Sequence, residues 1–247
     1  MAYGAAGTAA FYMDQLLNKL DLSRVPAHVA VIMDGNRRWA KAKGLPVPVG
    51  HAKGVESVRA VVKTASDLGV KALTIYAFST ENWNRGKLEV HALMLLLQKA
   101  ITEYGKELGE NNVRLMISGR LAEMPAPARK AVDATVDKLK GNTGMVLNIA
   151  LNYGGRQEIL DAVNSLLERG VKIADETSFS RALYTWPLPD PDLLIRTSGE
   201  TRLSNFLLWQ TAYSEFYITD TLWPDFRERQ FVEALLDYQA RERRRGT

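Results

Sequence analysis

Six short runs of apolar residues, alternating with segments of helical spacing, constrain the fold of this 247-residue chain more than any other feature. The runs cover residues 29–33, 72–78, 113–118, 145–150, 193–195 and 216–219. Because they are apolar almost throughout, they predict strands buried on both faces, as in a parallel sheet that is covered by helices. The sequence therefore predicts an α/β fold with a central, mostly parallel sheet of about six strands.

The segments between these runs predict the covering helices. Apolar residues recur at helical spacing over residues 55–68 and again over residues 88–108. Further helices are predicted for residues 127–139, 157–167 and 231–243. Since no linker or repeat divides the chain, residues 28–247 are expected to form a single domain, preceded by an N-terminal arm or short helix over residues 1–27.

Composition and charge exclude several classes of function. The absence of cysteine excludes disulfides, thiolate zinc sites and cysteine nucleophiles. There are 32 lysines and arginines against 28 acidic residues, and this net charge of +4 lacks the dense basic stripe of a nucleic-acid-binding protein. We therefore expect an anionic ligand in a pocket and no nucleic acid. No stretch is apolar over the roughly 20 residues that span a bilayer, so we expect a cytoplasmic protein whose membrane contact, if any, is peripheral.

Polar segments that follow the predicted strands indicate where the ligand binds. In an open parallel sheet, ligands bind in the crevice beyond the carboxyl ends of the strands. The polar segments at those ends are residues 34–36, 79–85, 152–155 and 196–204.

The first of these segments combines an acidic residue with phosphate-binding chemistry. Asp34 ends the first apolar run and is followed by Gly35, Asn36, Arg37 and Arg38. Glycine allows the backbone to approach a ligand closely, and arginines form charge-assisted hydrogen bonds to phosphate. An aspartate among such donors is suited to Mg²⁺, which links carboxylates to substrate phosphates. An ordinary Asp-Gly turn with surface arginines is the alternative.

Other segments add basic residues and a second acid. Arg85, Arg196 and Arg202 follow later strands, which favours more than one phosphate group. His51 opens a helix, where it is suited either to anion binding or to a capping role. Glu215 is a candidate second carboxylate for the metal, or else a structural glutamate in a salt bridge.

Two motifs that the chain lacks exclude further classes of function. The chain has neither the G-x-x-x-x-G-K-[ST] motif of nucleotide hydrolases nor a G-x-G-x-x-G motif after its first strand. His28 and His91 have no recognisable catalytic partners, so we expect them to be structural. The residues thus predict a Mg²⁺-dependent enzyme that acts on diphosphates.

Several of these segments match one family in long motifs and in the same order. The matching stretches are residues 28–39, 50–51, 76–85, 148–155, 192–204, 205–209, 215 and 222–226. On these motifs, residues 28 to about 246 resemble the cis-prenyltransferases, in particular the bacterial undecaprenyl diphosphate synthases. The resemblance implies that residues 28–247 are the catalytic domain of such an enzyme.

The resemblance also implies a reaction. Isopentenyl diphosphate would be condensed repeatedly onto an allylic diphosphate, typically farnesyl diphosphate, in a Mg²⁺-dependent cycle that forms a Z double bond each time. The product would be a long-chain polyprenyl diphosphate such as undecaprenyl diphosphate, a precursor for cell-wall synthesis. A short- or medium-chain synthase is the first alternative. A non-catalytic partner subunit is the second, and the presence of Asp34 argues against it.

Roles for individual residues follow from the same resemblance. Asp34 would be catalytic and would hold Mg²⁺ together with Glu215, and Asn82 would be the proton acceptor. An amide is a feeble base, so water or the diphosphate is expected to share that task. The implied substrate-binding residues are Gly35, Asn36, Arg37, Arg38, Trp39, His51, Ser79, Thr80, Glu81, Trp83, Arg85, Arg196, Arg202, Leu203 and Ser204.

The resemblance further implies a tunnel and a homodimer. Residues 88–108 and 113–118 would wall an apolar tunnel for the prenyl chain, with the small Ala77 facing it, although plain core packing explains such residues equally well. The tail Arg244–Gly246 would reach the partner's active site, and the product would mediate peripheral contact with the membrane.

One position departs from the family pattern. The family usually has an arginine four residues before the histidine of its Gly-His pair, and this chain has Val47 there. A charge-assisted contact to the allylic diphosphate, worth about 1.5–3 kcal/mol, is therefore missing. We expect weaker binding of that substrate unless Arg37, Lys41 or Lys43 replaces the contact.

Overall fold

The computed structural model describes residues 12–172 and 175–242, and they form one six-stranded sheet in the order β3-β4-β2-β1-β5-β6. Every neighbouring pair of strands is parallel. The strands are β1 (His28–Ile32), β2 (Ala72–Ser79), β3 (Arg114–Ser118), β4 (Val146–Tyr153), β5 (Leu193–Arg196) and β6 (Glu215–Ile218). The predicted α/β fold with six parallel strands is thus confirmed.

Seven helices are bounded within the described residues. They are α1 (Asn36–Ala42), α2 (Val47–Asp67), α3 (Lys87–Glu110), α4 (Ala126–Leu139), α5 (Gly155–Glu168), α6 (Glu176–Ser180) and α7 (Glu228–Ala240). Residues 12–17 are also helical, and Leu20, just after them, is buried in the core. The rest of the predicted N-terminal arm or short helix, residues 1–11, lies outside the described residues.

Two helical segments differ from the sequence-based prediction. The predicted helices did not include α1, and the prediction placed the start of the next helix near His51, with its apolar spacing over residues 55–68, whereas α2 begins at Val47. Pro46 and Pro48 make this region look like a loop. However, proline is favoured in the first turn of a helix, where its missing N–H costs no hydrogen bond. Pro46 caps α2 and Pro48 lies within its first turn.

Alternate residues of the strands pack on opposite faces of the sheet. Val29 and Val31 of β1 belong to the larger core, together with residues of α2, α3, α4 and α7. Ala30 and Ile32 belong to a smaller core on the other face, with Tyr153 and Phe206. Since both faces are covered, the strands are buried on both sides, as their apolar composition predicts.

A chain of polar side chains crosses the centre of the sheet. His28 Nε2 lies 2.7 Å from Thr74 Oγ1, which also accepts a hydrogen bond from Asn148 Nδ2 at 3.2 Å. Ser118 Oγ donates to Asn148 Oδ1 at 3.0 Å, so the chain links β1, β2, β4 and β3. His28 Nδ1 lies 2.6 Å from the carbonyl of Pro189, and burial lowers the pKa of His28 to about 4. His28 is therefore a neutral structural residue, as predicted.

Among the described residues, no helix combines the length and the apolar character needed to cross a membrane.

Candidate active site

The carboxyl edge of the sheet brings two of the predicted polar segments, residues 34–36 and 196–204, together around Asp34. The carboxylate follows β1, and its Oδ2 lies 3.1 Å from Nη2 of Arg196, the last residue of β5. The Asp34 N–H donates to Thr197 Oγ1 at 2.9 Å, and the Thr197 hydroxyl donates back to the Asp34 carbonyl at 2.6 Å. These bonds hold the ends of the two adjacent strands, and thus the acid and the guanidinium, in a fixed relation.

Arg196 is the buried centre of this cluster. Only 4% of its side chain is exposed, and its Nη1 donates to Ser204 Oγ at 2.8 Å and to the carbonyl of Arg202. The guanidinium thus organises the segment that follows β5 and links it to Asp34. A buried cation of this kind is suited to phosphate recognition, because its fork of donors matches phosphate oxygens.

Arg38 reaches the same cluster from α1. Its Nη1 donates to the Ser198 carbonyl at 3.1 Å, and its Nη2 lies 3.5 Å from Asp34 Oδ2 and 3.4 Å from Glu200. Arg202 is also paired with Glu200. The predicted residues Arg38, Arg196, Arg202 and Ser204 are therefore gathered on one side of Asp34.

A second basic cluster lies between α1, α2 and α3. Glu89 Oε1 lies 3.1 Å from Arg85 and 3.6 Å from His51 Nε2, and its Oε2 lies 3.7 Å from Arg37. Burial and the nearby Arg85 cation lower the pKa of His51, which favours the neutral ring. Three residues that are predicted to bind diphosphate, Arg37, His51 and Arg85, thus all pair with the carboxylate of Glu89.

Two glycines of α2 make room for Asn36. A Cβ at Gly54 would lie 2.4 Å from Asn36 Oδ1, and one at Gly50 would lie 2.2 Å from the Asn36 carbonyl. Gly35, just before α1, has a φ of 115°, which favours glycine. The close approach of α1 to α2 therefore depends on these small residues.

Unpartnered polar atoms are concentrated at this edge of the sheet. Four buried side-chain polar atoms in the described part of the chain have no hydrogen-bond partner, and three of them are Asn36 Oδ1, His51 Nε2 and Arg196 Nε. Buried polar atoms are nearly always satisfied in a native protein, so a cluster of exceptions indicates atoms that are suited to binding a polar ligand.

The segment after β2 forms a short helical turn, Thr80–Asn84, that carries the remaining predicted residues. Asn82 Oδ1 accepts a hydrogen bond from the Ser79 N–H at 3.1 Å, which caps the turn. Trp83 Nε1 donates to Asn152 Oδ1 at 2.7 Å. Glu81 accepts a hydrogen bond from Asn205 Nδ2 at 2.9 Å, so the turn is tied to the segment that follows β5.

An apolar cavity opens at this site. It extends between α2, α3 and the sheet, and its walls include Val55, Val58, Ala77, Leu93 and Leu97. Asn36 and His51 also line it, so the cavity begins where the polar residues end. A ligand with an anionic head and a hydrocarbon tail would match a polar entrance that leads into an apolar cavity.

Three predicted residues are placed differently from the rest. Trp39 is buried and donates to Asp225 Oδ1 at 2.8 Å, and Leu203 packs against the smaller core. Glu215 starts β6 opposite Leu193, at the amino edge of the sheet, where it is paired with Arg241 at 2.8 Å. A single chain therefore does not bring Glu215 to Asp34, and the salt bridge matches the alternative expected for it; its metal role stays a prediction.

The predicted tail Arg244–Gly246 lies outside the described residues.

The carboxylate of Asp34 fits a metal ion that is also coordinated by phosphate groups of a substrate. Residues 12–172 and 175–242 contain no group of three or more histidine, aspartate or glutamate side chains that could hold a metal. Mg²⁺, however, commonly takes one or two carboxylates and completes its coordination with phosphates and waters. Both arginine contacts of Asp34 are to Oδ2, which leaves Oδ1 for such an ion.

The sequence did not reveal the roles of Glu89 and Asn205. Glu89 lies four residues after Arg85, so one of its ion pairs follows from helical spacing, but its contacts with Arg37 and His51 depend on tertiary packing. Asn205 stands within a matching motif, yet its bond to Glu81 joins residues 124 positions apart.

Sequence comparisons show the family to which the chain belongs. Residues 32–246 match the family model described as "Putative undecaprenyl diphosphate synthase". The chain is 51% identical to the isoprenyl transferase of Geobacter sulfurreducens, over 90% of this chain and 93% of that one. It is also 51% identical to the isoprenyl transferase of Bacillus subtilis, over 90% and 88% of the two chains.

Solved structures share the fold. Lavandulyl diphosphate synthase from Lavandula x intermedia, in complex with dimethylallyl diphosphate, superposes with a TM-score of 0.87 at 38% identity, covering 90% of this chain and 99% of that one. A probable undecaprenyl diphosphate synthase from Campylobacter jejuni gives a TM-score of 0.77 at 32% identity, with the same coverage.

Proposed function

The chain belongs to the undecaprenyl diphosphate synthase family of prenyltransferases, and from this we propose that it condenses isopentenyl diphosphate repeatedly onto farnesyl diphosphate. The product is a long-chain Z-polyprenyl diphosphate such as undecaprenyl diphosphate. The enzyme requires Mg²⁺, works in the cytoplasm as a homodimer, and contacts the membrane through its product.

The observation that carries this proposal is the continuity between polar edge and apolar cavity. Asn36 and His51 have unpartnered buried atoms and also line the cavity. A diphosphate bound by Arg37, His51 and Arg85 would therefore place its prenyl tail in the cavity between α2 and α3. This cavity serves as the tunnel in which the chain grows.

The second diphosphate belongs to isopentenyl diphosphate, on the other side of Asp34. Arg196, Arg202 and Ser204 bind it there, with Arg196 already fixed by its bond to Ser204. Because donors that are oriented in advance need no reorganisation during the reaction, this cluster stabilises charge where it develops.

During the reaction, the allylic C1–O bond breaks and the diphosphate leaves with the electron pair. The double bond of isopentenyl diphosphate supplies the electrons of the new C–C bond, and a proton is lost to form the Z double bond. Mg²⁺ held by Asp34 would neutralise charge on the leaving diphosphate. Arg37, His51 and Arg85 hold that diphosphate in place, and Asn82 orients the group that accepts the proton.

The experiment that tests this function supplies farnesyl diphosphate, labelled isopentenyl diphosphate and Mg²⁺, and sizes the products by thin-layer chromatography. We expect long Z-polyprenyl diphosphates, and no product when EDTA is added. Products of only a few units would favour a short- or medium-chain synthase. Absence of any product in the presence of Mg²⁺ would contradict the proposal.

A further inference from the structure

Asn205 connects three segments of the active site through its side chain and its carbonyl. Its Nδ2 donates to Glu81 Oε1 at 2.9 Å, on the turn that follows β2. Its Oδ1 accepts from the Arg156 N–H at 2.9 Å, and its carbonyl accepts from the Gly155 N–H at 2.7 Å, at the start of α5. One residue thus joins the ends of β2, β4 and β5.

The surroundings of Asn205 are crowded and specific. A Cβ at Gly154 would lie 2.7 Å from Asn205 Nδ2 and 2.8 Å from Thr80 Oγ1, so the segments meet with no room for a side chain. Ser204 and Asn205 both have positive φ values, 49° and 64°. Their unusual backbone turns the segment after Arg202 back toward Glu81, and asparagine is among the residues that tolerate this conformation.

The charge of Glu81 reflects this contact. Burial would raise its pKa, but the hydrogen bond from Asn205 helps to hold the pKa below its usual range. Glu81 is therefore an ionised acceptor, and hydrogen bonds to charged groups are stronger than those between neutral groups.

We propose that Asn205 is a positioning residue for the condensation. Its hydrogen bond to Glu81 holds residues 196–204, the proposed binding segment for isopentenyl diphosphate, against the turn that carries Ser79 and Asn82. This inference rests on the proposed function, in which residues 196–204 bind one substrate and residues 79–85 bind the other. The two reacting carbons belong to separate molecules, and their alignment therefore depends on the relation between these two segments. Small misplacements of reacting groups reduce the rate far more than they reduce binding.

Asn205→Asp separates this role from a purely structural one. The aspartate still accepts the Arg156 N–H at the start of α5, but it faces Glu81 with a second carboxylate instead of a donor, and it can no longer donate to Gln157 Oε1, which lies 3.3 Å from Asn205 Nδ2. Asn164→Asp is the matched control, because it adds the same charge at an exposed position of α5. We expect kcat in Asn205→Asp to fall by about tenfold or more. The KM values for both diphosphates and the unfolding temperature should stay close to those of the control.

A second substitution provides the rescue. In Glu81→Gln, Asn205 can still donate to the amide oxygen, so the kcat of this variant is the reference for the double variant. In the double variant Asn205→Asp/Glu81→Gln, the donor and acceptor are exchanged and the hydrogen bond re-forms. We expect kcat of the double variant to recover most of the loss seen in Asn205→Asp.

Three outcomes would overturn the proposal. These are a wild-type kcat in Asn205→Asp, a double variant that is no more active than Asn205→Asp, or a loss confined to the unfolding temperature. If Asn205→Asp does not fold, Glu81→Ala removes the same hydrogen bond and leaves the bond from the Arg156 N–H intact; a wild-type kcat there would overturn the proposal, and a tenfold loss that Asn205→Ala does not deepen would support it. The proposed function fails separately, if the unmodified chain forms no polyprenyl product.

Discussion

Arg196 Nη2 lies 3.1 Å from Asp34 Oδ2, and this pair joins the last residue of β5 to the acid that follows β1. The guanidinium is almost fully buried, whereas about a third of the Asp34 side chain is exposed. A buried cation needs a partner, since an unpaired buried charge is strongly destabilising. The pair therefore keeps Arg196 in position before any substrate binds.

The first prediction concerns Asp34. Asp34→Asn keeps an oxygen that can accept from Arg196 but removes the charge that would hold Mg²⁺. We expect the Mg²⁺-dependent rate to fall by about 100- to 1,000-fold, the scale seen when one preorganised electrostatic group is removed. Initial rates over a Mg²⁺ titration measure this, and circular dichroism should show unchanged folding.

Asp137→Asn is the matched control for that variant, because Asp137 is an exposed aspartate on α4. It should retain the rate and the Mg²⁺ dependence of the unmodified chain. An Asp34→Asn variant with the same properties would contradict the metal role.

The second prediction concerns Val47. It is the first residue of α2, at the position where the family pattern predicts an arginine. Val47→Arg should bind farnesyl diphosphate about tenfold or more tightly, since a hydrogen bond to a charged group contributes about 1.5–3 kcal/mol. Equilibrium dialysis without isopentenyl diphosphate measures the dissociation constant. Val49→Arg adds the same charge at an exposed neighbouring position and should have little effect; equal tightening in both variants would indicate general attraction instead.

The third prediction concerns Gly54. Gly54→Ala would place a methyl group 2.4 Å from Asn36 Oδ1 and 3.0 Å from Trp223 Cδ1, so Asn36 must move. Because Asn36 lines both the polar site and the cavity, we expect kcat/KM for the allylic substrate to fall by about tenfold, the effect of misplacing a binding group. Gly141→Ala is the control, as a Cβ there meets nothing within 4 Å. Unimpaired kinetics in Gly54→Ala would show that Asn36 is not needed in its present position.

The fourth prediction concerns stability at low pH. Burial lowers the pKa of His28 from 6.5 to about 4, so the unfolded chain binds a proton more readily than the folded chain between those values. The stabilisation by neutral His28 is complete above pH 6.5 and is lost as the pH falls from 6.5 to 4, by at most about 1.4 kcal/mol per pH unit.

His28→Gln tests this, because glutamine also offers a donor and an acceptor but does not titrate. The free energy of unfolding, measured with urea at pH 7 and pH 5, should fall more steeply for the unmodified chain than for the variant. Equal slopes would mean that His28 titrates normally in the folded state.

Sequence patterns were sufficient for most of the fold. Runs such as residues 29–33 and 193–195 predicted buried strands, because a short run that is apolar at every position is typical of a strand covered on both faces. The short helix α1 was missed, since its seven residues include two arginines and a lysine and bury only Trp39 and Ala40. The start of α2 was misplaced because prolines at a helix start resemble those of a loop.

The site was predictable only where residues stand at strand ends. Asp34 and Arg196 follow adjacent strands, so the parallel topology alone brings them together. Glu215 directly precedes the predicted run 216–219, so the strand pattern itself places it at the amino edge of a parallel sheet, and only the family resemblance assigned it to the metal site. Glu89 and Asn205 were not predicted as interacting residues, because their partners come from distant parts of the chain.

The division of labour between strand ends and helices has a consequence for evolution. Asp34, Arg85 and Arg202 stand in segments at the sheet edge, whereas the walls of the apolar cavity come largely from α2 and α3. Substitutions in those two helices can widen, narrow or lengthen the cavity while Asp34 and Arg196 remain undisturbed. Under the proposed function, enzymes with different product sizes can therefore diverge from a common ancestor without any change in the chemistry of bond formation.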